Sequence, residues 1–404
     1  MVEKRGMRNL IIPGLITIAL FFKIGLFGQS LLKSPDNIIC GADRTELYID
    51  LLKDRHVGLV ANPSSRIGET HLLDSLLCLG VSVKIIFCPE HGFRGQGEAG
   101  ELIVDHKDPI TGISVVSIYG KKKKPDPEDL AGIDVLLFDI QDVGARYYTY
   151  ISTLHNIMEA AAEGGKEVII LDRPNPNGFY VAGPIREKDF KSFVGMHPIP
   201  IVHGMTVGEY GEMINGEGWL DGSIRCKLQV VPCLNYDHQS TYKLPVKPSP
   251  NLPNQESIFL YPSLCLFEGT VVSIGRGTAL PFQIFGHPDL QGEFQFRPTS
   301  IPGTSLHPKL EGKLCKGVDL RECGIPRIIN EREIILEWVI QAFQELGSSS
   351  DFFTSYFDTL AGTQSLREQI IKGWSANKIR ANWEKGIADF KIIRKKYLLY
   401  PDFE

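Results

Sequence analysis

Glu90, His91 and Arg94 fall within the run Phe87-Cys88-Pro89-Glu90-His91-Gly92-Phe93-Arg94-Gly95. This run sets a carboxylate, an imidazole and a guanidinium close together among glycines. A carboxylate in such company suits general acid/base work if an apolar or like-charged setting raises its pKa. Phe87, Pro89 and Phe93 stand where they would supply that setting. Taken alone, a Glu90–Arg94 ion pair that orders a loop explains the run equally well. Three other polar clusters shift the balance. Asn62 begins one at 62–65. Asp139, Gln141, Asp142, Arg146 and Tyr147 lie within 139–147, and Arg173 and Asn175 lie within 172–178. Carboxylates facing several arginines suit a polar substrate that itself carries a carboxylate, because guanidinium groups hold carboxylates through paired hydrogen bonds. Asp139 and Asp142 either belong to such a crevice or serve loop capping and pairing with Arg146. His91 is a candidate to orient Glu90 or to bind substrate.

The elements that must position these residues follow from the apolar pattern. Segments 56–61, 83–88, 135–138 and 167–171 are short, near-continuous apolar runs and read as buried strands. Helical stretches at 71–79 and 147–162 fall among them. That alternation predicts an α/β fold with a Rossmann-like parallel sheet covered on both faces. The four polar clusters then lie at one edge of the sheet, where such folds bind ligands. Segment 113–118 is a further short strand. In the second half, Thr206 and Glu209 form a capping box for a helix over 207–215. Strands are expected at 227–231, 270–274 and 282–285, a Pro-rich connector at 245–253, and helices at 331–346, 366–371 and 376–395. Strands followed by helices predict a smaller-sheet α+β C-terminal domain. The division is placed near residue 205, giving a first domain over 40–205 and a second over 206–404 that closes the cleft. Glu268 and Arg276, set among glycines, either close the crevice from the second half or form a salt-bridged hairpin.

Composition narrows the function classes. The chain has 404 residues, 43% hydrophobic and 23% charged, which is ordinary globular usage. A formal net charge of -5 leaves no electrostatic footprint for nucleic acid. The run 121–124, four consecutive lysines, reads as a solvated loop tip. Lys4, Arg5 and Arg8 precede an apolar run at 10–22, so residues 1–30 read as a signal peptide or N-terminal anchor, with export to the periplasm. No membrane span is expected in the mature chain. The eight cysteines form no C-x-x-C pair, and Cys78 and Cys88 read as buried thiols. A metal site from His91, His203 and His287 has none of the usual ligand spacing. Residues 95–100 match G-x-G-x-x-G, but turn-like residues separate them from the strand, Glu98 would repel a pyrophosphate, and no helix follows. No cofactor is expected.

On these residues the chain resembles the NamZ-type exo-β-N-acetylmuramidases, a glycoside hydrolase family long described as a domain of unknown function. The matching stretches are GLVANPSS (58–65), CPEHGFRG (88–95), LLFDIQDVGARYYTYISTL (136–154), LDRPNPNG (171–178), LPVKPSPNLPN (244–254), LYPSLCLFEGTVVSIGRGT (260–278) and CKGVDL (315–320). The resemblance runs from about residue 40 to the C-terminus. It implies a Rossmann-like N-terminal domain, a C-terminal α/β domain, and an active site between them. It also implies a peptidoglycan-recycling enzyme that releases N-acetylmuramic acid from the non-reducing ends of muramyl-terminated peptidoglycan fragments. The family's catalytic glutamate, in its E-H-G-F-R-G motif, would be Glu90. Asp139 or Asp142 would be the second carboxylate, unless the substrate's N-acetyl group acts as internal nucleophile. Ala279, after R-G-T, departs from the pattern of some relatives. Two other readings stay open: a muropeptide-binding protein without chemistry, and an exported metal-dependent hydrolase.

Overall fold

The computed structural model describes residues 37–94 and 105–404. The expected leader at 1–30 and the G-x-G-x-x-G run lie outside the described residues.

Apolar runs become strands close to where they were expected. In chain order these are β1 (His56–Ala61), the short β2 (Arg66–Ile67) and β3 (Thr70–His71), then β4 (Ser82–Cys88), β5 (His106–Lys107), β6 (Ser114–Ser117), β7 (Val135–Asp139), β8 (Glu167–Leu171) and β9 (Lys227–Val231). β2 and β3 form their own hairpin, while the rest make one seven-stranded sheet in the order β5-β6-β4-β1-β7-β8-β9. Only the β5–β6 pair is antiparallel. The six parallel strands have the order of a doubly wound Rossmann sheet, which reverses direction between β1 and β7. Successive side chains of a strand point to opposite faces. Accordingly Leu136 and Phe138 join one apolar cluster and Val135 and Leu137 the other.

One strand was placed in the wrong half by sequence. β9 pairs with β8 along its whole length, from Glu167–Lys227 to Leu171–Val231. The sheet therefore continues past the expected division near residue 205. The helix Val207–Gly216 is the crossover from β8 to β9, and its capping box is present: Thr206 Oγ1 accepts from the Glu209 N–H at 3.2 Å, and Glu209 Oε2 accepts from the Thr206 N–H at 2.9 Å.

The C-terminal half carries a three-stranded antiparallel sheet, β10 (Ile284–His287), β11 (Phe294–Phe296) and β12 (Cys315–Asp319), in the order β10-β12-β11. Segment 270–274 is not a strand; Thr270 and Ser273 make single bridges to Phe353 and Gly286. Of the helix expected over 331–346, the stretch Glu337–Glu345 forms; a separate helix, Gly324–Glu331, precedes it and ends at Arg332, in the left-handed region at φ 54°. The helix expected over 376–395 is split into Ala376–Ala381 and Glu384–Arg394. One apolar core joins Phe138 and Tyr150 of the first half to Leu260, Phe285 and Phe357 of the second. No helix among the described residues is long and apolar enough to cross a membrane.

Candidate active site

Register explains why Glu90 meets Tyr119. β4 and β6 run parallel with Cys88 opposite Ser117. Two residues further on, the Tyr119 hydroxyl donates to Glu90 Oε1 at 2.9 Å. Burial, and then the Glu90 charge, push that hydroxyl above the ordinary tyrosine range. The turn after Glu90 is tight. The Gly92 N–H reaches the Pro89 carbonyl at 3.2 Å, and His91 and Gly92 both lie in the left-handed region, at φ 72° and 76°. A bulky residue held there is uncommon and marks a constrained site.

Glu90 and His91 face a recess at the surface. Tyr147, Tyr148 and Tyr150 form one wall. They come from the segment between β7 and the helix Tyr150–Glu163, which starts later than its apolar pattern suggested and leaves Tyr147 and Tyr148 in a turn. The opposite wall comes from the C-terminal half: Asn251, Tyr261, Arg276 and Phe282. Tyrosine hydroxyls bind the walls together. Tyr147 donates to the Pro262 carbonyl, and Tyr148 to the Pro248 carbonyl at 2.8 Å. The Tyr148 ring packs edge-on against Tyr150 and Tyr261, with centroids 4.8 and 5.8 Å apart.

Two polar groups of the second wall have unused capacity. Arg276 gives its Nε to Glu268 Oε1 at 2.7 Å and stacks over Phe282 at 5.1 Å. Its terminal nitrogens have no hydrogen bond among the described residues. Asn251 donates through Nδ2 to the Thr304 carbonyl at 2.9 Å, which fixes the amide's orientation. Its buried Oδ1 has no partner among the described residues. The recess thus offers aromatic faces, a carboxylate, a guanidinium and an amide acceptor, a set suited to a polar ring-shaped ligand that carries an anion and an amide.

Of the residues expected from sequence, Glu90, His91, Tyr147 and Arg276 meet at the recess, with Glu268 behind Arg276. The others do not line it. Asp139 and Arg173 form a buried pair with contacts of 2.5 and 2.8 Å that ties the end of β7 to the end of β8. Burial pushes the Asp139 carboxyl up, against the pull of Arg173. Asp142 is buried and accepts from the Gly144 N–H at 2.6 Å. Arg146 pairs with no carboxylate; it donates to the carbonyls of Pro184, Ile199, Leu360 and Ala361. Arg94 grips Asp108 rather than Glu90, at 2.7 and 3.1 Å, and holds that carboxyl down at about 2. Asn62 Oδ1 accepts from the Ser64 N–H at 2.9 Å, Gln141 donates to the Asp142 and Pro174 carbonyls at 2.8 Å each, and Asn175 donates to the Met205 carbonyl at 2.8 Å.

The physical reason is position in the sheet. Where β1 and β7 part, the polar tips satisfy one another: Ser65 Oγ donates to the Asp139 carbonyl, and Ser64 Oγ accepts from the Gln141 N–H at 3.0 Å. Buried polar groups need partners, so the switch point is closed internally and the recess forms beside it. Phe93 does not surround Glu90 either; it packs edge-on against His71 at 4.7 Å. All eight cysteines are free, and Cys78, expected inside, is exposed. His203 is buried 3.9 Å from Asp142, while His287 sits beside Asp289. Among the described residues no three His, Cys, Asp or Glu side chains converge on a metal position. Tyr150, Asn251, Tyr261 and Phe282 were not anticipated as lining. Tyr150, Asn251 and Tyr261 lie in stretches that carry the resemblance, while Phe282 had no signal.

Two family models match the chain: "Exo-beta-N-acetylmuramidase NamZ, N-terminal" over residues 57–256, and the corresponding C-terminal model over residues 259–400. The chain is 39% identical over 375 residues to the peptidoglycan beta-N-acetylmuramidase NamZ of Bacillus subtilis (strain 168), covering 87% of this chain and 89% of that protein. Two crystal structures of DUF1343 family proteins from Bacteroides fragilis NCTC 9343 are similar, with TM-scores of 0.85 and 0.79 at 46% and 30% identity. Each covers 91% of this chain and 100% of the other. With both halves matched by its models, and a relative this similar over most of both chains, the protein belongs to the NamZ exo-β-N-acetylmuramidase family.

Proposed function

We propose that Glu90 is the general acid of an exo-acting glycosidase that releases N-acetylmuramic acid from the non-reducing end of peptidoglycan fragments. Family membership makes the chain a glycoside hydrolase acting on peptidoglycan. The observation that carries the residue assignment is the place of Glu90: it is the one carboxylate among the described residues lining the recess, and Tyr119 holds one of its oxygens. The free nitrogens of Arg276 take the lactyl carboxylate of muramic acid through paired hydrogen bonds. The free Oδ1 of Asn251 takes the acetamido N–H. The rings of Tyr148 and Tyr261 cover the apolar faces of the sugar.

Glycosidases generally use two carboxyl groups, and some replace one with the substrate's own acetamide. Neither Asp139 nor Asp142 lines the recess, so in this reading the acetamido oxygen attacks the anomeric carbon. Glu90 gives its proton to the departing glycosidic oxygen as the C–O bond breaks. Glu90 then takes a proton from the water that opens the cyclic intermediate. The charged and then apolar N-terminal segment supports export, so we assign the reaction to the periplasm; recovery of the protein from the cytoplasmic fraction alone would overturn that assignment.

Mass analysis of products from a muramyl-glucosamine disaccharide, with and without EDTA, tests the reaction. Free N-acetylmuramic acid should appear in both. Glu90→Gln should slow its release by roughly 10²–10⁴-fold. A near-wild-type rate in that variant would remove Glu90 from the chemistry. A series of substrates with mono-, di- and trifluoroacetyl groups tests the internal nucleophile. The rate should fall with each fluorine, and a flat series would require a different second group.

A further inference from the structure

Two of the four lysines at 121–124, expected as a solvated tip, are anchored. Lys122 pairs with Asp126 at 2.9 Å and Asp129 at 2.5 Å. Lys124 pairs with Glu159 and Glu163 at 2.9 Å each, on the helix Tyr150–Glu163. The even-numbered lysines are thus tied down, and the odd-numbered ones are exposed. Lys123 Nζ stands 4.8 Å from the centre of the Phe193 ring. Lys121 and Lys191 are exposed, and their ammonium groups have no ion pair or hydrogen bond among the described residues. These groups border an open groove, to which Phe193 and Met196 add apolar lining. Ammonium groups gathered around a groove concentrate anions in it.

Tyr119 stands between the groove and the recess. The Phe193 ring lies 6.5 Å from the Tyr119 ring, and the Tyr119 hydroxyl is the one bonded to Glu90. A ligand whose terminal sugar sits at Glu90 can extend past Tyr119 toward Phe193 and the free lysines.

We propose that this groove binds carboxylates that the peptidoglycan fragment carries outside its terminal sugar. The inference rests on the reading of the recess given above. Two parts of such a fragment have the required chemistry: an acidic peptide on the lactyl group, whose amide carbonyl then accepts from Arg276 in place of the carboxylate, and the lactyl carboxylate of the next muramyl residue along the glycan. Phe193 and Met196 suit the aliphatic portions of either. Lys121, Lys123 and Lys191 supply the charge, while the ion pairs of Lys122 and Lys124 hold the segment in place.

Calorimetric binding to the Glu90→Gln protein tests this without turnover. One arm compares N-acetylmuramic acid with N-acetylmuramyl-alanyl-glutamate. The other compares the muramyl-glucosamine disaccharide with the tetrasaccharide of the same repeat. In at least one arm the extended ligand should bind roughly tenfold or more tightly, and that advantage should vanish in Lys121→Glu/Lys191→Glu. The milder Lys121→Gln/Lys191→Gln should lose part of it. The arm that responds identifies the source of the carboxylate. Equal affinities in both arms, or an advantage that survives charge reversal, would overturn the proposal. Disaccharide hydrolysis by the wild-type protein is read separately, so a failure of the enzymatic reading and a failure of the groove give different results.

Discussion

At Asp142, burial and hydrogen bonding pull in opposite directions. Burial raises the carboxyl to about 7, against the opposing effect of the Gly144 and Val143 N–H groups. His203, 3.9 Å away, offers no positive charge near neutrality, because burial lowers it to about 3. The nearby Tyr148 and Tyr210 hydroxyls are themselves pushed up by burial. The sign of the pH effect follows. The folded state holds this proton more tightly than the unfolded chain, whose reference value is 3.8. The contribution is therefore fully present below about pH 4 and is lost as pH rises through about 7. The upper bound is about 4 kcal/mol. Asp172, raised to about 6, adds to the same trend in the wild type. Asp142→Asn should keep an oxygen for the Gly144 N–H and titrate nothing. Urea midpoints measured at pH 5 and pH 8 should differ less in this variant than in the wild type. Equal differences would mean that Asp142 is ionised in the folded state across this range.

At the scale of elements, burial on both faces made the sheet legible. His56–Ala61 and Glu167–Leu171 are apolar almost throughout, and β1 and β8 have the expected bounds. β9 also has the expected bounds, but its half-covered edge position did not show that it joins this sheet. Helix limits were hidden as well: the helix expected from 331 starts only at Glu337, and the one expected over 376–395 is interrupted between Ala381 and Glu384. The site was legible where its chemistry lies on one strand end, as with Glu90 and His91. It was obscure where the pocket is built from core-like side chains. Tyr147, Tyr148 and Tyr261 are 3%, 8% and 7% exposed, so a lining tyrosine has the pattern of a packing one. The clustered acids and arginines misled for a related reason. Charged groups at the tips of central strands must be paired when buried. Asp139 with Arg173, like Ser64 with Gln141, serves that need rather than a ligand's.

At the scale of the whole molecule, the recess exists only while the two halves stay docked, and Arg146 is the side chain most committed to that docking. It is 1% exposed. Its guanidinium donates at 2.8 and 2.7 Å to the Pro184 and Ile199 carbonyls of the first half. It also donates at 2.9 and 2.6 Å to the Leu360 and Ala361 carbonyls, at the end of the helix Ser355–Ala361. The last carbonyls of a helix lack partners within it, and a cation is favourable there. Gly362 closes that helix at φ 74°, and a Cβ on it would stand 2.8 Å from an Arg146 nitrogen, so the helix end and the guanidinium approach as closely as they do because this residue has no side chain. Each buried carbonyl left without a donor costs about 1–3 kcal/mol. Arg146→Met should therefore destabilise by roughly 3 kcal/mol or more in urea unfolding, and Arg146→Lys, which keeps the charge but has fewer donors, by less. Both variants should also lower kcat/KM on the disaccharide although the residue does not line the recess, since the Tyr147–Tyr150 wall begins at the next position. If Met prevents folding, the Lys variant carries the test alone. Stability within about 1 kcal/mol of wild type together with unchanged kcat/KM in the Lys variant would show that other contacts, such as the Glu187 N–H to Gly362 carbonyl bond at 2.7 Å, hold the halves together without it.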